Sequence, residues 1–310
     1  MFNIKVRKLY KRLSFILNKI LPKNIYIYIF YYCSYVINSF TVIRAAKKYG
    51  LKRLKHLALK DYKKSDTLFI LGSGKSIEDL TPAQWAMIKE NDSLGLNFWL
   101  YHEFVPTFYV YEESLNVERN NLFYKLLRQK QDMYKDTPFI VKDIEYKGIT
   151  FDSIPSELTK NIYLSTEMVV FGGKIDFSRF LYRGYLLLSK FNKRNKNVLL
   201  KRSGSLSYLL FLAENFGYRN IVLCGIDLIN SDYFYYNPKY SVYSVPDNKM
   251  KVQNRHLTDV ETKGNIPIST VVTNINEQVF KRKGINLFVG SKDSALFPMF
   301  DCYFDYDQNR

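Results

Sequence analysis

Residues 205–227 read SLSYLLFLAENFGYRNIVLCGID. Ser205–Phe216 is an apolar helix, and Gly217 behind it suits a left-handed C-cap. Asn220–Cys224 (NIVLC) is then a short apolar run with the length and composition of a buried strand. Gly225-Ile226-Asp227 falls at that strand's carboxyl end. Helix, glycine stop, buried strand and a second glycine make one unit of an alternating α/β winding.

The same alternation extends outward. On the N-terminal side, residues 66–72 (DTLFILG) read as a buried strand and Ser76–Glu90 as a helix. Strands follow at Leu94–Leu96 and, after Pro106, at Phe108–Tyr111. Leu115–Lys130 is an amphipathic helix carrying Leu122, Leu126 and Leu127, and Phe139–Val141 is another strand. Residues 144–176 give no clear period apart from a strand at Ile162–Leu164. Phe177–Leu188 reads as a helix. On the C-terminal side, Pro267–Lys283 is a long helix, Ile285–Val289 a last strand and Lys292–Phe297 a short helix. Strands alternating with helices predict an α/β, Rossmann-like parallel sheet with helices on both faces. Ligands of such sheets bind beyond the strand carboxyl ends.

The charge is uneven. Of the 310 residues, 46 are Lys or Arg and 29 Asp or Glu, a net charge of +17. Residues 1–65 hold 16 of the basic residues and a single acid, Asp61, so 16 − 1 = +15 lies there. The remainder is nearly neutral, whereas a nucleic-acid enzyme carries its basic face on the folded domain; no nucleic-acid partner is expected. The expected division is a helical, basic and aromatic extension, residues 1–65, and an α/β domain, residues 66–310. Cys33, Cys224 and Cys302 are too far apart for a CxxC pair, so neither a zinc site nor a disulfide framework is implied. Residues 25–43 are uncharged and rich in Tyr and Ile. A spanning helix, a helix lying in an anionic membrane interface, and a helix packed on the domain stay open; aromatics beside lysines favour the interface.

Several motifs bear polar chemistry. Gly72-Ser73-Gly74-Lys75-Ser76 joins the first strand to the first helix, where glycines allow a tight turn and a helix start favours phosphate. It is no Walker A loop, because Phe69 stands where that motif needs glycine, and no dinucleotide fingerprint, because position 77 is Ile77. Asn97 ends the second strand and can both donate and accept. Arg202-Ser203-Gly204-Ser205 opens the apolar helix with hydroxyls, backbone N–H groups and a guanidinium suited to a carboxylate. After Asp227 a loop collects Tyr233, Tyr235, Tyr236, Tyr240 and Tyr243 with Pro238 and Pro246. Of the three histidines, His102 reads as structural and His256 as a candidate general base, with Asp259 placed to orient it. Asp305-Tyr306-Asp307 lies in the tail and reads as incidental rather than as a metal-binding pair.

Over residues 66–300 these motifs resemble glycosyltransferase family 42, bacterial sialyltransferases that use CMP-sialic acid. Gly72–Ser76 resembles the family's first glycine turn, with Ser73 and Lys75 where the family has Asn and Pro. Asn97 falls on its Cys-Asn-Gln segment, and Tyr111–Leu115 on its Tyr-Asn-Pro-Ser-Leu, with Glu112 replacing Asn. Arg202 and Ser205 fall on its Arg-Ile-Thr-Ser. Residues 217–221 with Gly225-Ile226-Asp227 repeat its most specific stretch, while Ile229 stands where the family has a second phosphate tyrosine.

The resemblance implies a GT-A-like variant and metal-independent, inverting transfer of a CMP-linked acidic sugar to a cell-surface glycan. No cofactor is expected, and a homo-oligomer is open. His256 would be the base, with Tyr235 and Tyr233 assisting phosphate departure. Gly72, Ser73, Gly74, Ser76, Asn97, Ser203, Gly204, Ser205, Gly225 and Asp227 would hold the nucleotide; Arg202 and Glu112 would meet the acceptor or a carboxylate. With the charge asymmetry of residues 1–65, the expected location is the cytoplasmic side of a bacterial inner membrane, peripheral or N-terminally anchored. A pyrophosphokinase-like enzyme using ATP and Mg²⁺, and a non-catalytic accessory protein, remain the alternatives on this scaffold.

Overall fold

The computed structural model describes residues 19–20, 22–114, 116–142, 156–185, 198–229, 232–240, 255–262 and 265–307. Tyr243, Pro246 and the basic residues before 19 lie outside them.

Ten strands are present among the described residues: β1 (Lys52–Arg53), β2 (Thr67–Leu71), β3 (Asp92–Leu96), β4 (Phe108–Glu112), β5 (Phe139–Lys142), β6 (Ile162–Leu164), β7 (Glu167–Val169), β8 (Leu199–Lys201), β9 (Asn220–Cys224) and β10 (Asn286–Val289). Eight form one parallel sheet in the order β1-β6-β5-β4-β3-β2-β9-β10, and β7 pairs with β8 in a second, parallel ribbon. Every residue of β2 is buried. Covered on both faces, a parallel strand reads as an uninterrupted apolar run, which is why TLFIL and NIVLC are legible.

The helices are α1 (Lys23–Tyr49), α2 (Pro82–Glu90), α3 (Val117–Gln129), α4 (Lys174–Arg179), α5 (Ser205–Asn215) and α6 (Ile268–Ile275), with shorter turns between them. Crossovers from β2 through β5 step one way across the sheet, and the crossover from β9 to β10 steps the other. Right-handed connections running in opposite directions put their helices on opposite faces. The winding reverses between β2 and β9, where Leu71 pairs with both Gly95 and Cys224. Helix α5 is buried from Leu206 to Ala213, so it must be apolar all round rather than striped.

The structure corrects two expectations, both of helices. Residues 75–79 form a 3-10 turn, and the helix begins only at Pro82, where Thr81 and Gln84 make a capping box. Residues 292–297 are turns, because Ala295 N bonds Asp227 O (2.8 Å) and Ser294 Oγ bonds Ile226 O (2.7 Å) instead of closing a helix. The ribbon β7–β8 carries no period long enough to read. Strand β1 lies within residues 1–65 yet pairs with β6, Lys52 opposite Tyr163. Helix α1 is likewise joined to the domain: Val42 and Ala46 are buried, and the Tyr31 hydroxyl bonds both backbone groups of Phe171.

Candidate functional site

At the reversal point the ends of β2 and β9 are knitted together. Gly72 N donates to Cys224 O and Gly74 N to Gly225 O, both at 2.8 Å. A Cβ on Gly74 would sit 2.5 Å from Asp227 Oδ2 and 2.7 Å from Gly225 O. Glycine is therefore needed here for contact between two turns, not only for closeness to a ligand. Asp227 completes the latch: its Oδ2 accepts Ser76 N at 3.0 Å and its Oδ1 accepts the Ser76 hydroxyl. Burial pushes the Asp227 carboxyl above its ordinary range, against the pull of those two Ser76 bonds; Asp293 and Asp79 add to the rise.

Beyond the latch opens a cleft of about 290 Å³. Twelve of the expected residues line it: Gly72, Ser73, Gly74, Asn97, Glu112, Gly204, Ser205, Gly225, Asp227, Tyr233, Tyr235 and His256. Ser76, Ser203 and Arg202 do not. Ser76 is committed to Asp227. Arg202 is buried and turns the other way, its Nη2 donating to Gly172 O at 2.6 Å and its Nη1 to Val170 O at 3.3 Å, so it holds residues 170–172 rather than a ligand. The Ser203 hydroxyl is buried with no hydrogen-bond partner among the described residues. Ser203 (φ 58°), Asn97 (φ 51°) and Leu228 (φ 60°) are the non-glycine residues with positive φ among those described. Two of them line the cleft and the third adjoins it. Backbone strain of this kind collects at functional sites.

On one wall, Asn97 Oδ1 accepts Glu112 N at 3.1 Å, leaving its amide nitrogen as the group it can offer a ligand. Glu112 is not the isolated charge its position suggests. Its carboxylate meets Lys201 Nζ at 2.9 Å and Lys142 Nζ at 3.4 Å, and the same two lysines meet Glu167 at 3.4 and 3.3 Å. Two acids and two bases cancel, with Lys142 and Glu167 fully buried behind Glu112. The Ser205 hydroxyl donates to Glu112 as well. No side chain caps α5, so its first turn aims uncapped N–H groups and a positive dipole end at the cleft.

On the other wall, the backbone of Tyr233 bridges Gly74, and Phe234 N donates to Ser73 O at 2.9 Å. Tyr235 stacks between Tyr233 and Tyr101, at centroid distances of 5.1 and 5.6 Å. Tyr233 Oη lies 3.2 Å from His256 Nε2, while His256 Nδ1 lies 2.7 Å from Thr258 Oγ1. Thr258, not Asp259, thus orients the imidazole; Asp259 Oδ1 accepts Ser269 N at the start of α6.

Sequence reading passed over Arg119, which lines the cleft with its guanidinium 4.5 Å from the centroid of the Phe98 ring. Its signal was its place in the first turn of a helix that follows a strand, beside the Asn116 cap. Lys142 was legible only as a charge ending an apolar strand, and its partners Glu112 and Glu167 lie on two other strands, β4 and β7. His102 is structural as expected: it stacks on Trp85 and Trp99, and burial lowers its pKa to about 4. Asp305 pairs with Lys292 at 2.6 Å. Among the described residues, no three His, Cys, Asp or Glu side chains converge as metal ligands.

Fold and site together define a doubly wound α/β protein with a polar cleft at its topological switch point. No family model matches the chain, and no curated protein matches it. Among solved structures it is similar to the monofunctional alpha-2,3-sialyltransferase Cst-I from Campylobacter jejuni. The identity is 15% and the TM-score 0.41, over 77% of this chain and 82% of that one. It is also similar to the sialyltransferase CstII from Campylobacter jejuni, solved with the substrate analogue cytidine-5'-monophosphate. There the identity is 14% and the TM-score 0.40, over 76% of this chain and 84% of that one.

Proposed function

We propose that the protein is a glycosyltransferase that spends a nucleotide-linked sugar in this cleft, and that the donor is a CMP-linked acidic sugar, as the motif resemblance implies. The observation that carries the reading is the convergence of His256 and Tyr233 with the first glycine turn and the start of α5. His256 Nδ1 accepts Thr258 N at 3.3 Å and lies 2.7 Å from Thr258 Oγ1; base chemistry at Nε2 requires the tautomer whose Nδ1–H donates to that hydroxyl, which leaves the Nε2 lone pair facing Tyr233. An acceptor hydroxyl entering there gives its proton to Nε2 as its oxygen attacks the anomeric carbon. The bond from that carbon to the phosphate oxygen breaks, with inversion. Displaced from Nε2 as the acceptor enters, the Tyr233 hydroxyl turns with that of Tyr235 to the departing phosphate, and the N–H groups of α5 with Arg119 offset its charge. Transfer proceeds without a metal.

The test is thermal shift with CMP, CDP, UDP, GDP and ATP, each with and without Mg²⁺. CMP stabilises the protein without metal, by RT ln(1 + [L]/Kd). Stabilisation by ATP alone, and only with Mg²⁺, would instead indicate the pyrophosphokinase-like alternative. His256→Ala then lowers transfer on the order of 10²–10⁴-fold while leaving CMP binding intact. Transfer at the wild-type rate would remove His256 from the mechanism.

A further inference from the structure

Helix α1 shows two faces. Tyr31, Asn38, Val42 and Ala46 are buried against the domain, where the Tyr31 ring meets Phe180 at 5.2 Å. Ile25, Ile29, Tyr32, Phe40 and Ile43 are exposed, Tyr32 at 54% and Phe40 at 59%. With half-buried Val36 they fall at i, i+4, i+7, i+11, i+15 and i+18, which is one continuous stripe along the helix. Phe171, next to the Tyr31 contact, is exposed as well, as are Ile175 and Tyr182 on the segment that follows.

We infer that this stripe is a membrane-binding surface. On it α1 lies in the plane of an anionic bilayer, with Ile25, Ile29, Tyr32, Phe40 and Ile43 entering the headgroup boundary. Charge selects the occupant. Arg44, Lys47 and Lys48 are exposed on the last turns of α1, and residues 1–65 hold 16 basic residues against one acid. Anionic lipid complements both the cations and the apolar stripe, whereas a second copy of this chain would bring the same positive charge to the contact. Residues 25–49 are also long and apolar enough to cross a bilayer. A crossing helix, however, presents its whole circumference to lipid or to other spanning segments, and α1 spends one side, from Tyr31 to Ala46, on a domain that carries β1 and β7 beside it. The structure therefore favours lying over spanning. The inference does not depend on the proposed reaction.

The experiment is co-sedimentation of the full chain with vesicles of phosphatidylcholine plus phosphatidylglycerol, and with phosphatidylcholine alone. The chain pellets with the anionic vesicles and is released by alkaline carbonate. Ile29→Glu with Phe40→Glu abolishes pelleting, with the circular dichroism melt unchanged. Phe40→Ser alone, an exposed change with no buried contact at risk, weakens it severalfold. Lys47→Glu with Lys48→Glu weakens it by about tenfold or more. Three results would overturn the inference: undiminished pelleting of all variants, resistance to carbonate (a spanning helix), or a dimer in light scattering that the stripe substitutions dissolve (a second copy on the stripe).

Discussion

The two turns that face the cleft look alike in sequence and behave differently. Residues 72–76 (GSGKS) and residues 202–205 (RSGS) both offer glycine, serine and a cation at the head of an element that follows a strand. In the first, the polar groups are spent inside the protein: Gly72 N, Gly74 N and both donors of Ser76 go to the end of β9. In the second, Arg202 turns away but the start of α5 stays uncapped toward the cleft, with Ser205 beside a neutralised Glu112. One turn is a latch that stabilises the fold; the other is the better-placed donor surface for a ligand. A motif names donors, and the fold determines which of them remain available.

The contrast can be broken by substitution. The largest effect is expected behind the second turn. Glu167→Gln strips a fully buried carboxylate from Lys142 and Lys201 and should cost about 3 kcal/mol in urea unfolding, because it leaves buried charge undercompensated. A loss below a third of that would mean the quartet does not support the wall. Gly74→Ala should cost about 2 kcal/mol by driving a methyl into Asp227 and Gly225 O. The melting temperature would fall, and an unchanged melt would remove the latch.

The two serines give the direct dissociation. Ser76→Ala should cost about 2 kcal/mol of stability, since Asp227 loses a charge-assisted bond, with CMP affinity nearly unchanged. Ser205→Ala should weight the effects the other way: CMP affinity lower by about tenfold, with a smaller loss of stability than Ser76→Ala, because Glu112 loses the Ser205 bond but keeps Lys201 and Lys142. Equal effects of both on both measurements would erase the distinction between the turns.

The smallest effect concerns His102, packed between Trp85 and Trp99, against which the cleft-facing His256 is the contrast. Its pKa is lowered to about 4, chiefly by burial, so the folded state resists the proton that an unfolded histidine takes up near 6.5. The unfolded state then binds more protons between those values, and stability falls as pH is lowered from about 6.5 toward 4. Melts from pH 7 to 4.5 should show this slope, and His102→Gln should flatten it; a slope that survives belongs to other groups.

Much of the fold was legible because a parallel sheet covered on both faces leaves a plain mark. Strands β2, β4, β5, β9 and β10 are apolar runs between glycines, prolines and caps, and α3 carries its Leu period. What escaped had no such mark. Strand β1 is two residues long, β7 and β8 are three, and Lys142 is one charge whose partners lie far away in sequence. The missed start of α2 came from weighing Ser76 above Pro82. At the candidate site, Gly72, Gly74, Asn97, Ser205, Tyr233 and His256, singled out by residue chemistry and motif, line one cleft. Arg202 and Ser76 bond away from the cleft, which no motif could show because side-chain direction is not a property of a motif.

By itself the sequence determined the winding, the buried strands and the uneven placement of charge, since each depends on local composition and period. Tertiary structure alone decided that Ser76 is spent on Asp227, that Arg202 faces the residues at 170–172, and that Glu112 is neutral in effect through two lysines. Those outcomes depend on which strand ends meet, and hydrogen bonds and Coulomb forces act across distances in space that no spacing along the chain encodes.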